Sequence, residues 1–178
     1  GYRVARSWEK AGALPPGKTL AVTAPGNLPP PSKRGDVFRQ AALKALDTLS
    51  RNPDGFFLMI EGSNIDKAAH SNNLEEMMEE LLDFDRTAGA VLDWASKHPG
   101  TLVVITADHN TGAFALTGGS REQGEITGRF GSGSHDGVAV PVYAFGAGSG
   151  DFTGIYENTD IFNKIMNALK KGADKPVR

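Results

Sequence analysis

The sequence contains no cysteine, which excludes disulfide bonds and metal sites built on thiolate ligands. Zinc bound to this chain would therefore need nitrogen and oxygen ligands. No apolar run reaches the length of a membrane span, and residues 1–8 show no signal-peptide pattern. Neither sign of charge dominates, because 19 basic and 21 acidic residues give a net charge of −2. No basic stripe with interleaved aromatic residues is present, so we expect no nucleic-acid partner.

Three short segments hold three of the four histidines, each beside an acidic residue or a glycine-rich turn. They are residues 61–70, 106–112 and 133–137. Neutral imidazoles and carboxylates together form the ligand set that holds zinc, and such sets are usually gathered from separate segments. The first two segments follow the apolar runs 56–60 and 102–105, as expected for strands that end at a site. The pattern predicts a metal-dependent enzyme core.

The length of 178 residues and the 39% hydrophobic content are typical of one globular domain with a real core. Residues 1–35 are rich in proline and glycine, and we expect an irregular segment with one short strand at 19–23. Residues 36–178 alternate between strand and helix patterns. This alternation predicts an α/β fold with a mostly parallel sheet flanked by helices on both faces. The predicted elements are strands at 55–60, 101–106 and 138–145, helices capped by Asp36, from 73 to 97 and from 158 to 170, and a surface loop at 112–134.

Asp66 and His70 stand four residues apart, so they share one face if the chain turns helical after Gly62. Both side chains could then reach one cation, with His135 as a third protein ligand and a fourth position open, as catalytic zinc requires. The alternative interpretation is a solvated helix start in which Asp66 pairs with Lys67 or a neighbour.

Asp108 and His109 are adjacent and would point to opposite faces of a regular strand. They can share a metal only where the strand gives way to a turn, which residues 110–112 supply. Alternatively, Asp108 caps a loop and His109 bonds a carbonyl. Glu61 directly follows an apolar strand, where an unpaired carboxylate would be costly, so we expect a lysine or a metal beside it. His98 lies at a helix end and is assigned no site role.

Two further patterns bear on the site. In parallel α/β sheets ligands bind beyond the carboxyl ends of strands, where Glu61 and Asp108 are predicted to lie, and His135 enters a third strand. Residues 12–19 match the letters of a phosphate-binding P-loop. However, Pro15 and Pro16 remove two of the backbone donors that such a loop uses, and the pattern after it is strand rather than helix. We interpret that match as chance.

The metal-binding segments resemble those of the C-terminal part of alkaline phosphatases in order and spacing. The similarity rests on residues 57–70, 106–109, 133–135 and 140–146, and it covers roughly 36–169. The resemblance implies an alkaline-phosphatase-like fold and the hydrolysis of phosphate monoesters through a phosphoserine. It also implies two zinc ions and one magnesium ion, with the in-line logic of two-metal sites.

The resemblance assigns a ligand role to each candidate residue. It implies that Asp66, His70 and His135 bind the first zinc, that Asp108 and His109 bind the second, and that Glu61 binds magnesium. It further implies a periplasmic or extracellular location and a homodimer of the full-length protein.

Several family features do not occur in this sequence. The nucleophilic serine in its Asp-Ser-Ala setting, the aspartate that bridges the second zinc and the magnesium, the magnesium-binding threonine and the phosphate-gripping arginine have no counterpart here. Asp136 also stands where a threonine often follows the last histidine. We therefore interpret the chain as the metal-ligand half of an alkaline phosphatase with the N-terminal half missing. We expect it to be inactive alone and, with strand edges uncovered, prone to self-association.

Two other functions remain open. The chain could belong to another hydrolase of the same metal-dependent superfamily, such as a phosphodiesterase, a sulfatase or a phosphonoacetate hydrolase. It could also be a non-catalytic metal-binding or interaction domain. An Asp-Ser-Ala segment encoded upstream of Gly1 would distinguish the two hydrolase interpretations from the non-catalytic domain.

Overall fold

Residues 1–35 contain two short strands and two short helices. In the computed structural model, which describes residues 1–173, β1 (Arg3–Ala5) pairs in parallel with β2 (Thr19–Ala21). Helix α1 (Trp8–Ala13) lies between them, and α2 (Pro31–Arg34) follows. The predicted short strand is confirmed. Residues 12–19 run from the end of a helix to the start of a strand, the reverse of the order that a P-loop needs.

Four further helices include the two that position the candidate site. They are α3 (Val37–Leu49), α4 (Ser63–His70), α5 (Leu74–Ser96) and α6 (Asp160–Ala173), and a 3-10 helix spans Ser149–Phe152. The helices predicted from Asp36, from residue 73 and from residue 158 are confirmed, and each begins within two residues of its predicted start. Asn73 caps α5 because its side chain accepts a hydrogen bond from the backbone N–H of Glu76.

The predicted side-chain cap of α3 is wrong. Asp36 forms no capping hydrogen bond; its carboxylate instead accepts from the guanidinium of Arg39, one turn along the helix. This bond lowers the pKa of Asp36 below its usual value, although desolvation opposes the shift. The charge-assisted, bidentate hydrogen bonds to arginine are stronger than a capping bond from a backbone N–H, which explains why they form instead.

The mostly parallel sheet is not observed within residues 1–173. The strands form four two-stranded sheets, of which only the β1–β2 pair is parallel. The other three sheets are antiparallel: β3 (Leu102–Thr106) with β8 (Val142–Gly146), β4 (Asn110–Thr111) with β7 (His135–Asp136), and β5 (Ala115–Ser120) with β6 (Glu125–Arg129). The prediction of a parallel sheet assumed that a helix connects successive strands. The chain between β3 and β8 instead contains the β5–β6 hairpin, and such a connection allows the two strands to pair antiparallel.

The prediction of a surface loop at residues 112–134 is wrong. Most of this stretch forms the β5–β6 hairpin, whose register shifts between Leu116 and Gly118. Gly119 shows why small residues occur there: it has a φ of +143°, and a Cβ at that position would lie 2.3 Å from the carbonyl oxygen of Glu125. The hairpin is exposed and polar, so it carries little of the hydrophobic periodicity from which a strand is predicted.

The buried strand predicted at 55–60 is also wrong. The segment has no strand partner among the described residues, and Phe57 and Met59 are 65% and 70% exposed. The alternate side chains are half-buried, and Phe56 packs edge-on against Trp94 of α5 at 6.1 Å between ring centroids. The segment is apolar on both faces, as predicted, but residues 1–173 cover only one of them.

The strand predicted from residue 138 begins later, after Pro141. Proline lacks the N–H that a ladder needs, which explains this start. His135 consequently belongs to the separate short strand β7 rather than leading directly into β8.

Two buried contacts fix α4 on the long helix α5. A small core joins Ala68 and Ala69 of α4 to Met77 of α5. In the second contact, Asn64 of α4 donates at 3.2 Å to Glu80 of α5, whose carboxylate is also paired with Arg34 of α2. Arg34 pairs with Asp83 as well, and the side chains of Arg34, Glu80 and Asp83 are only 5%, 4% and 3% exposed. Both contacts orient the helix that carries Asp66 and His70. Among the described helices, none combines the length and apolar character needed to cross a membrane.

Candidate metal centre

Helix α4 presents Asp66 and His70 on one face, one turn apart. The opposite side of the helix buries Ala68 and Ala69 against α5, so the two polar side chains remain accessible. The Nε2 atom of His70 lies 3.4 Å from Oδ2 of Asp66. The predicted i, i+4 arrangement on a helix is confirmed. Lys67 bonds to Asn27 and Asn64 rather than to Asp66, so the alternative Asp66–Lys67 pairing is not observed.

His135 of β7 completes a cluster of three potential ligands. Its Nε2 atom lies 3.0 Å from Nε2 of His70 and 3.5 Å from Oδ1 of Asp66. One ligand atom from each residue can be chosen so that all three lie within 4.8 Å of one another. Two of the three histidine-bearing segments therefore meet through residues 65 positions apart in the sequence.

The spacing of these two imidazoles and one carboxylate is close to that around a tetrahedral cation. With Zn–N and Zn–O bonds of about 2.0–2.2 Å, tetrahedral ligand atoms stand roughly 3.3–3.5 Å apart. The two imidazole nitrogens are 3.0 Å apart, and the Asp66 carboxylate lies 3.4 Å from His70 through Oδ2 and 3.5 Å from His135 through Oδ1. Two nitrogens and a carboxylate oxygen are also donors that zinc prefers.

The backbone fixes the ring form of His70. Its Nδ1 atom lies 2.8 Å from the carbonyl oxygen of Gly133, which can only accept a hydrogen bond. Nδ1 therefore carries the proton and donates to Gly133, and in the neutral ring the lone pair is on Nε2. This nitrogen is the one that faces Asp66 and His135. An imidazole held by a carbonyl in this way is the usual arrangement around protein-bound zinc.

Asp108 and His109 lie directly against this cluster. Strand β3 ends at Thr106, and the bend that follows brings Oδ2 of Asp108 to 3.3 Å from Nε2 of His109. A bend at residues 108–109 lets the two adjacent side chains converge, whereas the turn predicted at 110–112 is wrong there, because residues 110–111 form β4. The His109 ring stacks on the His135 ring, with centroids 3.5 Å apart and planes at 24°. The pair has the separation of two ligands of one cation, beside the cluster of three.

Two residues that the sequence analysis missed hold these groups in place. Thr111 donates a hydrogen bond of 2.6 Å to Oδ1 of Asp66 and lies 3.2 Å from Nδ1 of His109. Asp136 accepts from the backbone N–H groups of Val138 and Ala113 and from the side chain of Asn110. These bonds, the one from Val138 first, lower the pKa of Asp136.

A signal for one of these residues was present in the sequence. Thr111 follows His109 by two positions, the spacing that places side chains on the same face of an extended chain. Asp136 carried no comparable signal, because its role depends on the pairing of β4 with β7.

Glu61 and His98 lie outside the cluster. Glu61 is exposed at the start of α4, and in residues 1–173 its carboxylate forms no ion pair or hydrogen bond. The predicted cost of an unpaired carboxylate does not arise there, because the group remains in water. His98 donates from Nδ1 to the carbonyl of Trp94 at 2.7 Å and stacks on its ring. It is a helix-end residue, as predicted.

Comparisons with known proteins agree on one family. A family model described as alkaline phosphatase matches residues 30–128. Alkaline phosphatase 3 of Bacillus subtilis is 40% identical over 102 residues, which cover 56% of this chain and 22% of that protein. Streptomycin-6-phosphate phosphatase of Streptomyces griseus is 30% identical over 218 residues, covering 95% and 48%.

Solved structures give the same result. The alkaline phosphatase of the Antarctic bacterium TAB5 is 34% identical with a TM-score of 0.80, covering 95% of this chain and 52% of that one. A mutant of that enzyme was solved with magnesium bound. The chain spans about half or less of the length of these relatives. Their fold is shared, and the matching family model spans more than half of the chain, so this chain belongs to the alkaline phosphatase family.

Proposed function

We propose that this chain supplies the metal-ligand part of a phosphomonoester hydrolase. In this proposal Asp66, His70 and His135 hold one zinc, and Asp108 and His109 contribute two ligands to a second. Glu61 contributes to a magnesium site whose other ligands come from sequence outside these 178 residues. Residues 36–178 then form the C-terminal part of an alkaline-phosphatase-like α/β domain.

One observation carries the proposal. The Nε2 atoms of His70 and His135 lie 3.0 Å apart, and the Asp66 carboxylate lies 3.4 Å from the first through Oδ2 and 3.5 Å from the second through Oδ1. These separations are close to the roughly 3.3–3.5 Å between ligand atoms around a tetrahedral zinc. The carboxylate offers a negative charge, and Gly133 fixes the imidazole of His70 so that its lone pair points into the cluster. With three protein ligands, one coordination position remains for a substrate oxygen.

The proposed ligands would contribute to the reaction by holding the metal ions and balancing their charge. Bound zinc would supply Lewis-acid stabilisation of the oxygens at the two ends of an in-line phosphoryl displacement. Asp66 and Asp108 would balance the positive charge of the two sites, and stacking of His109 on His135 would keep those sites adjacent. No Asp-Ser-Ala segment occurs in the sequence. We therefore propose that the nucleophilic serine comes from outside it and that the chain alone is inactive.

An exposed apolar surface bears on the partners of this chain. Phe57, Met59 and Tyr143 expose large apolar side chains, and Tyr143 borders a 220 Å³ groove lined by Val103, Ile105 and Leu92. Burial of this surface would favour self-association of the isolated chain, and in the whole protein the remaining sequence would cover it. We further propose, from the family resemblance, that the whole protein is a homodimer in the periplasm or outside the cell.

Hydrolysis of p-nitrophenyl phosphate tests this function. The polypeptide encoded by the complete reading frame should turn the ester over with zinc and magnesium present and lose that activity in His135→Ala. The 178-residue chain alone should show none. Rapid turnover by the chain alone, or a complete reading frame that encodes no nucleophile, would overturn the proposal; the latter would favour a non-catalytic metal-binding domain.

A further inference from the structure

Thr111 connects the two groups of proposed metal ligands. It is the second residue of β4, its exposure is only 9%, and its hydroxyl lies between Asp66 and His109. In the β4–β7 pair it stands directly opposite His135. A single residue therefore bonds to one member of each ligand group and shares a strand pairing with a third ligand.

The hydrogen bonds of Thr111 determine where the proton of His109 resides. A threonine hydroxyl has one hydrogen, and an ionised carboxylate can only accept. The bond of 2.6 Å to Asp66 therefore uses that hydrogen. The 3.2 Å contact with Nδ1 of His109 is then favourable only if Nδ1 carries a proton and the hydroxyl oxygen accepts it.

This assignment leaves the other nitrogen of His109 free to bind a metal. A neutral imidazole carries one N–H, so a proton on Nδ1 places the lone pair on Nε2. Nε2 is the atom that lies 3.3 Å from Oδ2 of Asp108. That carboxylate would otherwise attract the proton to Nε2, in the ring form that cannot bind a metal through this atom. Thr111 offers the competing acceptor on the opposite side of the ring.

We propose that Thr111 is a positioning residue that prepares both proposed metal sites together. Its donated bond orients the carboxylate of Asp66 for the first site, and its accepted bond holds His109 in the form that binds the second. This inference rests on the proposed function for the assignment of Asp66 and His109 as ligands. The hydroxyl, rather than the bulk of the side chain, performs both tasks.

Zinc titration of Thr111→Val, Thr111→Ser and Thr87→Val separates the effect of the Thr111 hydroxyl from a general effect on folding. Thr111→Val keeps the branched shape and the strand propensity but lacks the hydroxyl, whereas Thr111→Ser keeps the hydroxyl. Loss of a residue that supports a metal ligand typically weakens metal affinity by about 10- to 100-fold, which is the change expected in Thr111→Val. Thr111→Ser should bind zinc within a few-fold of the parent chain.

The matched control removes a buried threonine hydroxyl elsewhere. Thr87 of α5 is 2% exposed, and its hydroxyl donates to the carbonyl of Asp83 at 2.9 Å. Thr87→Val should lower thermal stability and leave zinc affinity unchanged. Equal loss of zinc affinity in Thr87→Val and Thr111→Val would show a general effect on folding and would overturn the proposal.

Nitrogen NMR of the metal-free chain at alkaline pH tests the proton placement directly. Long-range proton–nitrogen spectra should show the His109 proton on Nδ1 in the parent chain and in Thr111→Ser, and a shift toward Nε2 in Thr111→Val. A parent chain with the proton on Nε2 would overturn the inference even if Thr111→Val failed to fold. Failure of the parent chain to bind zinc would instead refute the proposed function, while the spectra would still test the proton placement.

Discussion

The buried cluster around Arg34 offers a severe test of how this fold is held together. The guanidinium donates to both carboxylate oxygens of Glu80 at 2.8 and 2.7 Å, to Asp83 at 2.6 Å and to the carbonyl of Pro29 at 2.9 Å. Burial by itself would lower the pKa of Arg34, but the hydrogen bonds and negative charges of Glu80 and Asp83 together raise it. Arg34→Met would leave the buried carboxylate of Glu80 without a cation, and that of Asp83 with only the exposed guanidinium of Arg86 at 3.6 Å.

Removal of one partner from a buried ion pair costs about 3–5 kcal/mol, because the remaining charge stays desolvated. For a chain of this size, one kcal/mol corresponds to about 2–4 °C in Tm, so Arg34→Met should melt roughly 6–20 °C lower. The Tm of Arg34→Lys should lie between those of the parent chain and Arg34→Met, since lysine keeps the charge but cannot reproduce the bidentate bonds to Glu80. Thermal unfolding followed by circular dichroism measures the difference.

Arg39 provides the matched control for this substitution. It also pairs with a carboxylate, that of Asp36, but the two side chains are 40% and 42% exposed. Exposed pairs contribute about 0–1 kcal/mol, so Arg39→Met should change Tm by no more than a few degrees. Neutralising the remaining charges, with Glu80→Gln and Asp83→Asn added to Arg34→Met, should recover part of the loss. Equal effects of Arg34→Met and Arg39→Met would refute the reasoning.

Two further predictions concern the core and the pH dependence. Met77→Ala, at the contact between α4 and α5, should destabilise by about 2–5 kcal/mol in chemical denaturation, and an effect below that range would show that this contact does not fix α4. Because Arg39 lowers the folded-state pKa of Asp36, this group stabilises the fold above its unfolded pKa of about 3.9 and loses that contribution as pH falls through the folded value. Melting temperatures measured across this acidic range should show a smaller acid-induced decline in Asp36→Asn than in the parent chain, and identical profiles would contradict the assignment.

The helices and the ligand-bearing segments could be predicted because their signals are local. The i, i+4 spacing of Asp66 and His70, and the position of Asp108 and His109 just after a strand, require only neighbouring residues. The sheet could not be predicted in the same way, because strand direction depends on which distant segments meet. β3 and β8 pair antiparallel across a hairpin that carries no apolar stripe.

The supporting residues of the site were missed for the same physical reason. Asp136 is a ladder partner of Asn110, 26 positions away, and Thr111 bonds to Asp66, 45 positions away. Neither relation has a sequence period. The apolar run at 55–60 gave a false prediction of a buried strand. Its composition indicates burial on both faces, whereas the described residues cover only one face.

Calorimetric titration of the 178-residue chain with zinc tests the central claim, that Asp66, His70 and His135 form one metal site. The parent chain should bind one zinc tightly, with weaker binding where Asp108 and His109 provide only two ligands. His135→Ala should lose the tight site, whereas His98→Ala, which removes the helix-end imidazole, should retain it. Two tight sites in the parent chain, or unchanged tight binding in His135→Ala, would contradict the account.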